Sequence, residues 1–65
     1  MKKMQRIVVD WISNSNMEFV SAIIELEGSF EGIPNEVADA FEELSEKERI
    51  EVIKKSASTL LKRMS

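Results

Sequence analysis

The chain contains no cysteine, no histidine and no tyrosine, and only one proline and two glycines. Without cysteine there is no disulfide to staple a small fold, no thiol nucleophile and no thiolate metal site. Without histidine there is no imidazole ligand, no member of a Ser-His-Asp triad and no use of the commonest general base. A long apolar run is missing too. After the basic head Lys2-Lys3, the run Ile7-Val8-Val9 ends at Asp10. That is too short for a secretory signal, and far from the roughly 20 apolar residues of a membrane span. The expected location is the cytoplasm.

Glycine-rich phosphate cradles are absent as well, because Gly28-x-x-x-Gly32 lacks the lysine and hydroxyl residue that would follow. The acidic pairs Glu42-Glu43, Glu25-x-Glu27 and Glu46-x-Glu48 lack the alternating acid and glycine pattern of a calcium loop, and read as solvated carboxylates. Hydroxyls and lysines remain, but none sits in a motif that would activate it. The sequence therefore reads as a non-enzyme that takes no cofactor and no metal.

Sixty-five residues, 43% of them hydrophobic, make a single small domain spanning 1–65. A chain of this size buries only about 60% of the surface that its unfolded form exposes. Small scaffolds usually add a staple. With disulfides excluded, association with a second copy or another protein is the staple left over.

The pattern is all-α, a compact bundle of four short helices at about 3–13, 16–27, 34–44 and 46–63, completed by dimerisation. In the first, Met4, Ile7, Val8, Trp11 and Ile12 follow the i, i+3, i+4, i+7, i+8 spacing of one apolar face. Ser15 and Glu18 have capping-box spacing, so the second helix is expected near Asn16, with Gly28 as its left-handed cap. Met17, Phe19, Val20, Ala22, Ile23, Ile24 and Leu26 cover so wide an arc that this helix is expected at the centre, covered on more than one side. Glu27 falls on that apolar arc, either past the last packed turn or buried against a base such as Arg6. Pro34 suits the first turn of the third helix, whose buried face is Val37, Ala38, Phe41 and Leu44. Ser45 and Glu48 form a second capping box. The fourth helix carries Ile50, Ile53, Ala57, Leu60 and Met64 in 3-4-3-4 spacing, an a/d seam expected to face the core.

Charge is segregated along the chain. The net charge is −3, yet residues 1–9 carry +3, residues 10–46 carry −10 with no base at all, and residues 47–65 carry +4. With helices alternating in direction, the start of the first lies beside the end of the fourth. Lys2, Lys3, Arg6, Lys54, Lys55, Lys62 and Arg63 then gather at one end above an acidic belt. Such fields also complement helix dipoles and aid solubility; between proteins they raise association rates and fix register.

Residues 36–55 have the outline of a helix-turn-helix, the alternative reading being a compact DNA-binding regulator. The tight-turn glycine is missing, however, and Glu46, Glu48 and Glu51 would face phosphates, with Lys47, Arg49, Lys54 and Lys55 in favour. Nucleic acid is the weaker expectation, and so is a membrane surface for the first helix, whose apolar stripe is what a core helix needs anyway. The leading expectation is a small protein-binding module, a regulator, inhibitor or adaptor, forming a homodimer and binding a protein partner. Val9, Trp11 and Val52 are the expected self-association surface, with Val9 and Val52 on the far faces of their helices. Phe30, Glu42 and Glu43 are the expected surface for a different partner.

Overall fold

Four α-helices, α1 (Lys3–Asn14), α2 (Phe19–Ile24), α3 (Asn35–Glu43) and α4 (Glu46–Met64), account for most of the chain. A π turn at Glu25–Ser29 continues α2. The computed structural model describes residues 2–15, 17–29 and 32–65, and no strand occurs among them. The protein is an all-α bundle.

The local signals at the third and fourth helices are realised. Ser45 Oγ accepts from the Glu48 N–H at 3.2 Å, and Glu48 Oε1 accepts from the Ser45 N–H at 2.9 Å. Two donors that have no intrahelical partner are thereby satisfied. Pro34, expected in the first turn, stands instead just outside α3 as its N-cap, and its carbonyl accepts from the Val37 and Ala38 N–H groups. Val37, Ala40, Phe41 and Leu44 are buried, with Ala38 half-buried beside them.

The second helix departs from the sequence pattern. Ser15 Oγ accepts from the Met17 N–H in a local turn rather than capping a helix, and α2 opens only at Phe19, with Glu18 as N-cap and no side-chain cap. Asn16, the expected start, lies outside the described residues. Gly28 is no left-handed cap. It lies inside the π turn without a positive φ, and among the described residues nothing stands within 4 Å of where a Cβ would be. Bulky Phe19, Val20, Ile23 and Ile24 crowd a six-residue segment that propensity supports poorly.

Helix α1, not α2, is central: it packs on α2, α3 and α4. It buries Gln5, Val8, Val9, Ile12 and Ser13, with Ile7 and Trp11 partly covered, while Met4 stays largely exposed. Sequence pattern undercounts this helix because two of its buried residues are polar. Gln5 can be buried because its amide Nε2 donates to the Glu48 carbonyl and to Glu51 Oε1. Ala22, Leu26 and Ile33 complete the core from the α2 side. Glu27 lies outside it, exposed.

Helices α1 and α4 run parallel. Lys2 Nζ meets Glu48 Oε2 at 2.7 Å near both helix starts, and Arg63 Nη1 donates to the Ser13 carbonyl near both ends. The expectation of alternating directions, and with it the gathering of all the bases at one end, is therefore corrected. Lys2, Lys3 and Arg6 lie toward the start of α4, whereas Lys62 and Arg63 lie in its last turn, at the opposite end. The segment between Asn14 and Asn35 includes a helix of its own, which lets the chain return so that α3 and α4 can follow.

Candidate functional site

Helix α4 decides where the surface lies. Its buried residues are Val52 and Ser56, both fully enclosed. Small side chains at these positions, facing α1 with its own Val9 and Ser13, permit close approach of the two helices. That rotation turns the a/d seam away from the core. Ile50, Leu61 and Met64 are 59%, 66% and 80% exposed, and Ile53, Ala57 and Leu60 are only half-buried. The seam is real as a pattern, but it is not the packing face.

Helix α2 behaves similarly. Ala22 and Leu26 face the core, and Phe19 and Ile23 are half-buried against it. Val20 and Ile24, next around the helix, are 62% and 61% exposed, so α2 is not covered on several sides. The two helices meet at one apolar groove. Phe19, Ala57, Leu60, Leu61 and Met64 line a groove between α2 and α4. A monomer shows scattered apolar residues as a matter of course, whereas contiguous apolar surface marks an interaction site.

The residues expected from sequence to form contacts are placed as follows. Val9 and Val52 are core residues, which corrects their assignment to far faces: each sits in the α1–α4 contact and offers no surface. Trp11 is half-buried, packed on the core, and lines a shallow hollow with Asn14, Ser15, Met17 and Gly32. Phe30 lies outside the described residues. Glu42 and Glu43 are exposed, and with Glu36 and Asp39 they border a second groove whose floor includes Met4, Ile7 and Ala40 and whose base is Lys3. The structure brings Glu42 and Glu43 together with each other, but not with Val9 or Val52. Of the groove-lining residues of α4, Ala57, Leu60 and Met64 were visible in the sequence as a seam, whereas Leu61 and the seam's outward tilt were not.

Among bases favouring the DNA reading of 36–55, Arg49 is committed elsewhere. Its guanidinium lies 4.5 Å from the centre of the Phe41 ring, and its Nε donates to the Phe41 carbonyl at 3.1 Å. A cation thus closes the C-terminus of α3, where the helix dipole favours positive charge. Glu48 is drawn well below the ordinary carboxylate range, to about 2, chiefly by the Lys2 ammonium and next by the Ser45 N–H. Lys2 is raised in turn by Glu48.

Among the described residues, no group of three or more metal-ligating side chains is clustered, and no helix is long and apolar enough to cross a membrane. Comparison with protein-family models, with curated proteins and with solved structures finds nothing that matches this chain.

Proposed function

We propose that the chain is a small cytoplasmic protein-binding module without catalytic activity, a regulator, inhibitor or adaptor that works through helix-mediated contact. The observation that carries this reading is the apolar groove between α2 and α4, lined by Phe19, Ala57, Leu60, Leu61 and Met64, on two helices that also leave Val20, Ile24 and Ile50 more than half exposed. Helical partners recognise such faces through apolar anchors at three- and four-residue spacing. The four seam intervals from Ile50 to Met64 supply that spacing. DNA binding by 36–55 is the weaker reading, because Arg49 is held by α3 while Glu46 and Glu51 remain exposed.

The test is site-specific photo-cross-linking in the cells that produce the protein, with the photoreactive residue at position 61 or 24 and, as control, at exposed Lys55, which is turned away from the seam. Adducts heavier than the chain from 61 and 24, but not from 55, are expected. No adduct from either position would overturn the reading.

A further inference from the structure

We infer that the surface between α2 and α4 takes a second copy of this chain, with α2 of one copy seated on the α4 seam of the other in both directions at once. This rests on the protein-binding reading above and names its partner.

Two features choose the occupant. The first is charge. On the solvent side of the α4 seam, Lys47, Lys54 and Leu61 follow one another at heptad spacing, and both lysines are exposed. Pairing α4 with α4 of another copy would set this basic row against itself, which is destabilising. The α2 segment from 17 to 29 carries only acids. Exposed Glu18 and Glu27 bracket exposed Val20 and Ile24 along this segment. A segment with apolar centres and flanking acids fits a seam with apolar centres and a basic border. The chain carries both halves of that match.

The second feature is symmetry. Because α2 and α4 stand side by side around one groove, a two-fold axis along it lays each helix against the other's counterpart. Both contacts then form together, and the interface closes on itself without leaving an open end for further growth. A stable interface takes about 800 Å² from each partner. That is roughly a sixth of the 4600 Å² that this chain exposes.

The experiment is sedimentation equilibrium of the full chain from micromolar to millimolar concentration, with circular dichroism on every variant. The native chain is expected to be a dimer, and Leu61→Glu a helical monomer. Glu27→Lys sets two lysines together twice per dimer, and Lys54→Glu does the same with two glutamates, so each is expected to weaken dimerisation by about tenfold or more. An equimolar mixture of these two variants pairs opposite charges at both contacts and is expected to regain dimerisation. Contacts between α2 and α4 methyl groups of different copies, seen by nuclear Overhauser effects in a mixed-isotope sample, complete the support. A native chain that stays monomeric at millimolar concentration overturns the inference. So does a dimer that ignores Leu61→Glu, or a charge-reversed mixture no tighter than its components. A monomeric chain whose position 61 still cross-links to other proteins overturns the self-pairing alone and leaves the protein-binding reading standing.

Discussion

Arg49 lies over Phe41, with its guanidinium 4.5 Å from the ring centre and its Nε bonded to the carbonyl of the same residue at 3.1 Å. One side chain of α4 thereby covers an aromatic core residue of α3 and neutralises the end of that helix. Arg49→Met keeps the stem but loses the cation over the ring and the donor to the carbonyl. A loss of about 1–3 kcal/mol is expected. Arg49→Lys retains the charge but not the planar fork, and should recover only part of it. Urea unfolding followed by the single tryptophan, half-buried Trp11, measures both. Equal stability of all three chains would show that the ring contact contributes nothing.

The Lys2–Glu48 pair gives stability an acid dependence. Glu48 titrates at about 2 when folded, against its ordinary 4.5. Between those values the unfolded chain binds more protons, so stability rises with pH through that window. The contribution is full above about 4.5 and is lost as the pH falls toward 2. Lys2 is raised, so its share is full below its ordinary 10.5 and fades as the pH rises past the folded value. Carbon-detected NMR titration of Lys2→Gln should find Glu48 moved back toward 4.5 but not all the way, because the Ser45 N–H still donates to it. An unmoved Glu48 would exclude the ammonium as the main cause.

Ser56 is fully buried on α4, and its hydroxyl has no hydrogen-bond partner among the described residues. Removing such a hydroxyl relieves a desolvation cost and improves helix propensity, so Ser56→Ala is expected to stabilise the fold by about 1 kcal/mol. Val52→Ala, one turn earlier on the same face, leaves a cavity and should cost about 2–3 kcal/mol. Thermal unfolding of the two variants gives opposite signs if the Val52–Ser56 face is the packed one. A destabilised Ser56→Ala would mean that the hydroxyl has a partner after all.

Gly28 has no positive φ, and among the described residues nothing crowds the place where a Cβ would stand. Alanine there restricts the unfolded chain without straining the folded one, and Gly28→Ala should add about 0.4–1 kcal/mol. At Gly32 a Cβ would fall 2.9 Å from Met17 Cε, so Gly32→Ala must displace that methyl and should gain less or lose. Chemical denaturation of the pair checks the order. Gly32→Ala proving the more stable would reverse it.

Features set by three or four neighbouring residues were legible in the sequence. The Ser45–Glu48 box and the Val37–Phe41–Leu44 face depend on nothing beyond their own turn. The face of α4 that packs was not legible. The seam has more apolar surface than Val52 and Ser56, but shape won over hydrophobicity, since two small residues fit closely on α1. Gln5 misled in the same way: counted as polar, it is buried because α4 offers it a carbonyl and a carboxylate. Glu42 and Glu43 were read correctly as exposed acids, while Val9 and Val52 were assigned to the surface because each stands apart from the dominant stripe of its helix.

The parallel arrangement of α1 and α4 also bears on how the fold is reached. Gln5 is bonded to residues 43 and 46 positions away, and Arg63 reaches back 50 positions to Ser13. Helical proteins usually fold fast because their contacts are local. Here the helix that every other one leans on is the first of the four to be synthesised and the last to be enclosed. While a ribosome still holds α4, α1 has α2 and α3 for company but an uncovered flank at Gln5, Val9 and Ser13, so the core closes only after α4 is released.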